Sequence, residues 1–453
     1  MPITRRDFLA SAAAAAAQTP ARKPNILFIL ADDLGYGNLG CYGQKQIQTP
    51  NIDRLASEGL RFTQAYAGST VCAPSRCALM TGFHTGHGRT RGNKFPDLPL
   101  RPQDITVTEL LKKAGYRTGL VGKWSLGNIG STGYPTRKGF DEWFGFFNQN
   151  HAHNYYPEYL LDQETVYMMK GNQGTQKKDY AHDLFTDRAL AFLARKDPRP
   201  FFLKVSYTIP HANNEMGRDT GNGMEVPDTE PYQDRDWPAP DKNFAAMVTR
   251  MDRHVGQLMA KLRETGQEQN TLVVFSSDNG PHREGGHNPD FFDDNGPLRG
   301  IKRDLYEGGI RVPFLARWPG SIRAGAVTDQ PIAFWDFLPT ACELSGVPAP
   351  AGIDGISFAP TLFGKPQRQH DYFYWEFHER GFHQAVRAGD WKGIRLGPGQ
   401  PLQLYDLKTD PGEKSDLAPL HPGEVARMER VLAKARTDSP DWPIPDRSEK
   451  EKP

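Results

Sequence analysis

The sequence predicts an α/β protein in which helices sandwich a large, mostly parallel sheet, followed by a smaller C-terminal α+β subdomain with a short antiparallel sheet. Short, continuous apolar segments are typical of strands buried on both faces of a sheet. Segments with a helical repeat alternate with them, and this order favours a parallel sheet covered on both sides. The pattern changes near Ala349–Gly352, where short aromatic-rich segments begin.

The composition is that of a large soluble globular protein. Of 453 residues, 38% are hydrophobic and 11% aromatic, enough to bury a core, so disorder along the whole chain is excluded. Only four cysteines exclude a small fold built on disulfides. The net charge of +1 argues against nucleic acid as a partner. No apolar segment approaches the roughly 20 residues that span a bilayer, so no stable membrane span is expected.

Residues 1–22 have the features of an export signal. The paired arginines Arg5-Arg6 precede Phe8-Leu9 and the alanines Ala12–Ala17. A charged start, a mildly apolar stretch and small residues at its end make a signal peptide, here similar to the twin-arginine type. A loosely held N-terminal helix is the alternative. We therefore expect export by the twin-arginine machinery and a periplasmic or secreted protein.

Residues 23–350 carry the predicted α/β domain. The predicted buried strands are Asn25–Leu30, Arg117–Val121, Phe201–Tyr207 and Thr271–Phe275. The predicted helices are Asn51–Gly59, Thr106–Gly115, Asn243–Gly266 and Trp335–Gly346. Two stretches rich in Gly, Pro and Asn, Glu215–Asp241 and Gly280–Gly300, predict loops that shape a site.

Residues 351–453 carry the predicted subdomain and a polar tail. Short runs separated by turns predict the antiparallel strands Tyr372–Phe377, Gln384–Arg387, Trp391–Leu396 and Gln403–Leu407. A final helix is predicted over roughly Pro422–Arg436.

Polar residues gather where the four buried strands end. These strands lead into Asp32-Asp33, Gly122–Trp124, Ile209–His211 and Ser276–Gly280. In an open parallel sheet, sites lie at the carboxyl ends of the strands, so the four segments predict one cluster. The alternative is that each strand simply emerges into a polar loop.

Three aspartates and an asparagine in these segments predict a metal site. Asp32, Asp33, Asp278 and Asn279 offer carboxylate and amide oxygens, which suit Ca²⁺ or Mg²⁺ better than a soft metal. Neighbouring carboxylates at the end of a buried strand repel one another unless a cation lies between them. The alternative is that these residues serve turns and helix caps.

The segment Gly68–Gly82 carries a candidate nucleophile, Cys72. Pro74 suits the first turn of a helix, which puts Cys72 at the helix N-terminus, where the dipole favours an anion. Such a cysteine is expected to have a lowered pKa. Arg76, one turn further on, points the same way. A buried thiol or a half-cystine are the alternatives, and Cys41 and Cys342 could pair or stay free.

Cys72-Ala73-Pro74-Ser75-Arg76, followed by Leu79-Met80-Thr81-Gly82, resembles the signature of the type I sulfatases within the alkaline phosphatase superfamily. The similarity runs from Lys23 to about Ala418. Its further blocks are Asn25–Gly37, Gly122–Gly127, Pro210-His211, Asp278–Gly280, Leu298–Pro313 and Leu404–Asp416.

The resemblance implies a sulfuric ester hydrolase with an unusual nucleophile. A formylglycine-generating enzyme would convert Cys72 to formylglycine, whose aldehyde hydrates. One hydroxyl attacks sulfur and the alcohol leaves. The other hydroxyl then loses its proton, and sulfate is expelled as the aldehyde is restored. A serine would instead form a stable sulfate ester that is slow to hydrolyse.

The resemblance also implies roles for the polar cluster. Asp32, Asp33, Asp278 and Asn279, with an oxygen of residue 72, would bind Ca²⁺ rather than Mg²⁺. Arg76 would hold the hydrate. Lys123 and Lys302 would neutralise sulfate oxygens. His211 would contact the sulfate or the leaving oxygen, with general acid as a possible role.

One position departs from the family pattern. The familiar Gly-Lys-Trp-His-Leu-Gly reads Gly122-Lys123-Trp124-Ser125-Leu126-Gly127 here. The histidine that usually assists the hydrate is replaced by Ser125. Base assistance would then come from another residue, from water or from the serine hydroxyl.

Loops rich in histidine and aromatic residues are candidate substrate contacts. Trp143–Phe147 and His151–Tyr159 offer stacking faces, and His282–His287 offers two imidazoles. We expect contacts from His151, His153, His282 and His287, with ordinary loop packing, or zinc at His282 and His287, as alternatives. Together with export, these loops favour a sulfated carbohydrate such as a galactose or N-acetylgalactosamine sulfate.

Two rival functions remain open from the sequence. One is a phosphate or phosphonate ester hydrolase of the same superfamily. The other is a non-catalytic binder of sulfated glycans, which would leave Cys72 unmodified.

Overall fold

A computed structural model describes residues 23–445; the predicted signal at residues 1–22 lies outside the described residues, as do residues 446–453. Within the described chain, eleven strands form one large sheet. They are β1 (Asn25–Asp32), β2 (Leu60–Tyr66), β3 (Arg117–Gly122), β4 (Glu142–Gly145), β5 (Tyr159–Asp162), β6 (Thr165–Met168), β7 (Phe201–Pro210), β8 (Thr271–Ser277), β9 (Arg311–Arg317), β10 (Ala326–Thr328) and β11 (Ile332–Ala333).

The strand order of the large sheet is β10-β2-β9-β8-β1-β7-β3-β4-β5-β6, and β11 also pairs with β2. The central strands β8, β1, β7, β3 and β4 are all parallel to one another. Antiparallel pairs flank this centre, namely β8 with β9, β9 with β2, β4 with β5 and β5 with β6. The predicted class is confirmed, with a parallel centre inside a mixed sheet.

Ten α-helices accompany the strands in the described residues. They are α1 (Pro50–Ser57), α2 (Cys72–Thr81), α3 (Val107–Lys113), α4 (Ala181–Ala194), α5 (Asn214–Thr220), α6 (Ala239–Glu264), α7 (Glu307–Ile310), α8 (Phe337–Ser345), α9 (Ala359–Leu362) and α10 (Pro422–Lys434).

Strand β1 shows why the central strands have continuous apolar sequences. Its side chains alternate between the two faces of the sheet, and both faces are covered. Leu27 and Ile29 belong to a core shared with α1, α4 and α6. Ile26, Phe28 and Leu30 belong to a second core shared with α2, α3 and α8. The helices therefore sandwich the sheet, as predicted.

The C-terminal subdomain is built on a four-stranded antiparallel sheet. Its strands, in spatial and chain order, are β12 (Phe373–Phe377), β13 (His383–Ala388), β14 (Trp391–Arg395) and β15 (Gln403–Asp406). Helix α10 covers one face, where Met428 and Leu432 pack against Leu404. On the other face Trp375 packs with Tyr66 and Trp335 of the first domain. The aromatic residues that marked this region thus form the contact between the two sheets.

Two predicted boundaries differ from the structure. Helix α6 begins at Ala239 rather than Asn243, because a proline in the first turn costs no helical hydrogen bond. The expected loop Glu215–Asp241 therefore contains the start of α6, together with the short helix α5, which Asn213 caps through its side chain. The loop predicted over Gly280–Gly300 has no helix or strand.

Cysteines and helices add two observations. All four cysteines are free thiols, so Cys41 and Cys342 are unpaired. No helix between residues 23 and 445 combines the length and apolar character that crossing a membrane requires.

Candidate active site

The carboxyl ends of four parallel strands bring the predicted polar segments together. Strand β1 ends at Asp32, β3 leads into Lys123, β7 into His211 and β8 into Asp278. The strands lie side by side, with Ala31 of β1 level with Ser277 of β8. The cluster predicted from the strand ends therefore forms at one edge of the sheet.

Cys72 lies at the first position of α2, as predicted, but its pKa is not lowered. Burial raises the pKa of Cys72 well above its usual value, and the charge of Asp32 raises it further. The thiol donates a hydrogen bond to Asp32 Oδ1 at 3.1 Å. The expectation of a lowered pKa is wrong because a neighbouring carboxylate and complete burial outweigh the helix dipole. The side chain as it stands is a neutral thiol.

The three aspartates and Asn279 form one continuous group. Asn279 Nδ2 donates to Asp33 Oδ1 at 2.7 Å, and the Asp33 backbone N–H donates to Asp278 Oδ1 at 3.2 Å. Burial and the charge of Asp32 raise the pKa of Asp278 to about 7, even though Arg76 opposes the shift. All four side chains are buried, so the mutual repulsion of the aspartate carboxylates is not screened by water.

Arg76 holds the centre of the cluster from α2. Its Nε donates to Asp278 Oδ2 at 2.9 Å, and its Nη2 lies 3.3 Å from Asp32 Oδ2. Its Nη1 donates to the backbone carbonyl of Lys123 and to Ser206 Oγ. A single planar guanidinium therefore ties together the ends of β1, β3, β7 and β8.

Two buried lysines each hold one aspartate. Lys123 Nζ lies 2.6 Å from Asp32 Oδ2, and Lys302 Nζ lies 2.8 Å from Asp33 Oδ2. Burial alone would lower the pKa of Lys302, but Asp33 and Glu284 outweigh it and raise the pKa, so Lys302 is charged. The two ammonium groups come from separate segments of the chain. Lys123 follows the end of β3, and Lys302 lies in the loop after β8.

His211 contacts the same group through Lys302. Its Nε2 lies 3.0 Å from Lys302 Nζ and 3.5 Å from Asp33 Oδ2, while its Nδ1 donates to the carbonyl of Ala212. Burial lowers the pKa of His211 to about 3, and the charge of Lys302 contributes. The imidazole is therefore neutral, with its proton on Nδ1 and its Nε2 facing the cluster.

Glu284 is a member of the site that sequence reasoning missed. Its Oε2 lies 3.0 Å from Lys302 Nζ and 3.9 Å from His211 Nε2, and its Oε1 accepts from Arg303. Arg303 in turn pairs with Glu379 of the C-terminal subdomain at 3.2 Å. Its position between His282 and His287, within the stretch Gly280–Gly300 predicted to shape a site, is the sequence signal that could identify it.

The donor set fits a hard divalent cation. Ligand atoms of Asp32, Asp33, Cys72 and His211 all lie within 4.8 Å of one another. Asn279 Oδ1 is buried and has no hydrogen-bond partner in the described residues, an arrangement that is costly unless a cation or water meets it. Three carboxylates and an amide oxygen are the ligands that Ca²⁺ accepts, and a cation would relieve their repulsion.

Backbone strain accompanies the site. Asp33, Ser125 and Arg303 have φ values of 63°, 67° and 76°, in the left-handed region that side chains other than glycine seldom adopt. Asp33 follows Asp32 and Arg303 follows Lys302 in the chain, and Ser125 lies two residues after Lys123. Such strain persists where the surrounding structure fixes the backbone, which is common at functional sites.

Ser125, the departure from the family pattern, is buried beside the cluster. Its hydroxyl donates a short hydrogen bond to Gln149 Oε1. The backbone N–H of Gln149 donates to Asp97 Oδ2 at 3.3 Å. The position of the expected histidine is thus occupied by a serine held by the loop after β4.

The four histidines expected to contact substrate divide into two pairs. His153 stacks on His211 with ring centroids 4.8 Å apart, and His151 stacks on Tyr159 at 4.6 Å. Both border an open groove. His282 bonds to the carbonyl of Pro210, and His287 lies between Asp241 and Asp294.

The structure offers neither His282 nor His287 to a substrate. Both are buried, and both ring nitrogens of each are hydrogen-bonded. Burial alone would lower the pKa of His287, but the hydrogen bonds to Asp241 and Asp294 raise it. These two side chains stabilise the loop that carries Glu284.

Comparison with known families agrees with this geometry. Residues 24–347 match the family described as Sulfatase. Residues 300–435 match the family described as N-sulphoglucosamine sulphohydrolase, C-terminal. The first match includes all nine of the predicted catalytic and metal-binding residues.

Individual proteins are similar over most of their length. Human arylsulfatase A is 34% identical, over 89% of this chain and 85% of the human protein. Human N-acetylgalactosamine-6-sulfatase is 32% identical, over 87% of this chain and 81% of that protein. The crystal structure of Ps i-CgsB in complex with k-i-k-neocarrahexaose superposes with a TM-score of 0.80 at 29% identity, covering 95% of this chain and 96% of the other.

Proposed function

The chain belongs to the sulfatase family, and we propose that it hydrolyses sulfate esters of carbohydrates through a formylglycine made from Cys72, with Ca²⁺ bound at the neighbouring carboxylates. The family membership makes it a sulfuric ester hydrolase. The nucleophile, the ion and the substrate are the parts that we propose.

One observation carries the proposal. Cys72 Sγ contacts Asp32 at the point where Asp33, Asp278 and Asn279 converge. The Cys72 sulfur lies at the place where the hydrated aldehyde would put its oxygens. When bound, Ca²⁺ supplies positive charge and the hydrate supplies the attacking oxygen. A neutral, buried thiol in this setting is a precursor and a poor nucleophile.

The cationic side chains are arranged to stabilise charge on the transferred group. Lys123 contacts Asp32 and Lys302 contacts Asp33. Arg76 forms an ion pair with Asp278. Preformed charges in a buried site act strongly on developing negative charge, because little reorganisation is needed. We assign Lys123 and Lys302 to the sulfate oxygens and Arg76 to the hydrate and the ends of the strands.

His211 and Lys302 act as a hydrogen-bonded pair at the leaving oxygen. His211 presents Nε2 to the site, since its Nδ1 proton is held by Ala212. Lys302 Nζ lies 3.0 Å from that nitrogen. The pair can therefore hold a proton next to the leaving alcohol oxygen, with His211 orienting it.

The relatives support a carbohydrate substrate. The names of relatives include N-acetylgalactosamine-6-sulfatase, and a similar structure holds a neocarrahexaose. His153 stacks on His211 of the cluster, and His151 stacks on Tyr159 in the neighbouring groove, an arrangement that suits sugar rings. We propose galactose and N-acetylgalactosamine sulfates as substrates, acted on in the periplasm or outside the cell after export.

The modification is tested by mass spectrometry of the peptide that contains residue 72. The protein is produced in a host that has a formylglycine-generating enzyme, and the aldehyde should replace the thiol. Cys72→Ala should fold but lose at least about 10⁴-fold in turnover, given what removal of a nucleophile costs other hydrolases. Cys77→Ala, a buried thiol on the same helix, is the matched control.

Two outcomes would contradict the proposal. An unmodified thiol in a protein without hydrolytic activity would favour a non-catalytic glycan binder. A wild-type enzyme that cleaves phosphate or phosphonate esters faster than the matching sulfate esters would favour the other hydrolase classes of the superfamily.

A further inference from the structure

An open groove lies next to the segment that follows His211. Its volume is about 900 Å³, and it lies between the loop 147–159, the segment 172–177 and helix α5. Asn213, two residues after His211, lines it. His153, which stacks on His211, is joined to Glu215 on the groove wall at 3.2 Å. The groove wall is therefore joined to His211 through His153 and Glu215.

Aromatic rings line this groove from two directions. Phe147, Tyr156 and Tyr159 come from the loop after β4, and Phe95 comes from the segment before α3. Phe95 is 78% exposed, although it is a large apolar side chain. Exposed apolar surface of this kind often marks a binding site. A flat apolar face in an otherwise polar groove suits stacking against a sugar ring, whose faces are apolar and whose edges are hydroxyl-bearing.

Amide side chains supply the polar part of the groove. Five asparagines line it, but the amides of Asn172 and Asn213 are buried and bonded within the protein, which leaves Asn148, Asn150 and Asn154 to face a ligand. Neutral groups that both donate and accept hydrogen bonds match sugar hydroxyls better than they match anions.

The charges in the groove have the opposite sign to those at the sulfate site. Glu158, Glu215 and Asp219 line it, and Lys177 is the one lysine or arginine among the lining residues of the described chain. Lys177 is already paired with Glu225. Burial lowers the pKa of His151 to about 4, so this ring adds no charge near neutral pH. Glu215 pairs with Arg218, whereas Glu158 and Asp219 form no ion pair within the described residues, so an anionic group entering the groove would meet these two carboxylates.

We propose that this groove binds the sugars next to the sulfated one, and that it selects neighbours that carry neither sulfate nor carboxylate. The inference rests on the proposed function and narrows its substrate class. The preferred substrate is an oligosaccharide with one sulfated residue beside neutral sugars, and not a chain in which uronic acids alternate with sulfated sugars. The cationic side chains of the cluster bind the sulfate ester, while the carboxylates of the groove disfavour a second anionic group on the neighbouring sugar.

The stacking part of the proposal is tested with Phe95→Ala. The measured quantity is kcat/KM for a sulfated galactose tetrasaccharide divided by kcat/KM for 4-nitrophenyl sulfate, which is too small to fill the groove. The ratio should fall about fivefold to tenfold, the cost of one lost aromatic contact. Leu420→Ala, which removes an apolar side chain that is 73% exposed on the far subdomain, should leave the ratio unchanged.

The charge part is tested with two tetrasaccharides that share the sulfated residue. One has neutral neighbours, and the other has a uronate next to the sulfated sugar. The wild-type enzyme should prefer the neutral compound. Asp219→Lys, at an exposed position near the C-terminal end of α5, should shrink that preference about threefold or more, and added salt should shrink it too. Asp219→Asn should fall between the two.

The outcomes separate this inference from the proposed function. Equal rates on both tetrasaccharides, or a preference for the uronate compound, would overturn the selection by charge. An unchanged ratio in Phe95→Ala would overturn the role of the groove, even with sulfatase activity intact. An enzyme that cleaves 4-nitrophenyl sulfate but no tetrasaccharide would overturn the groove alone. An enzyme that cleaves no sulfate ester would overturn the proposed function itself.

Discussion

Two buried clusters of charged side chains lie in this molecule, and they look alike until their contacts are compared. The cluster that we propose as catalytic, named the catalytic cluster, comprises Asp32, Asp33, Asp278, Arg76, Lys123 and Lys302. The interdomain cluster comprises Tyr66 and Glu307 of the first domain with Arg387, Lys392 and Glu413 of the second. Both are almost completely buried.

The resemblance extends to the acids. In the catalytic cluster, Asp278 has its pKa raised to about 7 by burial and neighbouring carboxylates. In the interdomain cluster, burial raises the pKa of Glu413 to about 7, although Lys392 opposes the shift. Both clusters also contain a strained residue, Asp33 in one and Glu413 in the other. Neither burial, nor a shifted pKa, nor strain therefore distinguishes a site from a structural contact.

The position of the ammonium groups does distinguish them. Lys392 Nζ lies 2.9 Å from both Glu307 and Glu413, so the chain's own lysine bridges the two carboxylates. Lys302 likewise bridges Asp33 and Glu284, but the neighbouring Asp32 and Asp33 share no lysine, since Lys123 contacts one and Lys302 the other. Both clusters pair as many cationic as carboxylate side chains, but no side chain of the described residues lies between Asp32 and Asp33 as Lys392 lies between Glu307 and Glu413, and Asn279 Oδ1 has no hydrogen-bond partner there. This difference predicts opposite responses to the same perturbations.

Of the perturbations that compare the two clusters, metal removal from the catalytic cluster has the largest expected effect. Exhaustive chelation should lower turnover about 10³-fold or more, because a bound cation supplies several kcal/mol of charge stabilisation. Added Ca²⁺ should restore turnover and raise the melting temperature. At a Ca²⁺ concentration of 100 Kd, the free energy of unfolding should rise by about 2.7 kcal/mol. Unchanged turnover after chelation would contradict the metal site. The interdomain cluster should not respond.

Removal of a lysine from the catalytic cluster should affect rate more than stability. Lys302→Ala should lower turnover by about 10²- to 10³-fold, the usual cost of one preformed charge at a reacting group. The free energy of unfolding should change less, because Asp33 keeps its hydrogen bond with Asn279 and Glu284 keeps its ion pair with Arg303. Steady-state kinetics and urea unfolding on the same preparation measure the two effects. A variant with normal turnover would remove Lys302 from the mechanism.

The same deletion in the interdomain cluster should give the reverse result. Lys392→Met leaves Glu307 and Glu413 without their shared ammonium, and breaking a buried pair costs about 3–5 kcal/mol of stability. Turnover per folded molecule should stay within a few-fold of wild type. Lys392→Arg, which keeps the charge, is the milder variant if the first does not fold. A large loss of turnover in a stable Lys392→Arg protein would contradict the division of roles.

Much of the fold could be predicted because the central strands are buried on both faces. Strands β1, β3, β7 and β8 are continuous apolar segments, which leave little choice of structure. The flanking strand β2 was missed because its buried and partly exposed residues alternate without a clear apolar run. Helix α4 was missed because buried residues occur on several of its sides, which hides the helical repeat.

The site divides in the same way. Residues at the ends of buried strands could be placed together from topology alone, and the cysteine motif marked the helix between them. Glu284 could not be placed, since its partners Lys302 and His211 come from distant segments. The burial of His282 and His287 likewise depends on Pro210 and Asp241, which the sequence separates from them widely. Contacts that fix a loop are set by tertiary structure, and local pattern does not report them.

The smallest expected effect is a pH dependence of stability in the interdomain cluster. The pKa of Glu413 is about 7 in the folded protein against 4.5 for an ordinary glutamate, so the folded state holds a proton that the unfolded state has lost between these values. Stability from this group is therefore present below about pH 4.5 and declines as pH rises to about 7.

Glu413→Gln should remove that trend, because the amide does not titrate. The free energy of unfolding of the wild type, minus that of the variant, should fall as pH rises through this window, by on the order of 1 kcal/mol. Glu264→Gln, at an exposed position near the end of α6, is the control and should show no comparable trend. A difference that is flat across the window would mean that Lys392 keeps Glu413 ionised throughout. The interdomain cluster would then be an ordinary set of ion pairs, and the likeness between the two clusters would be limited to burial.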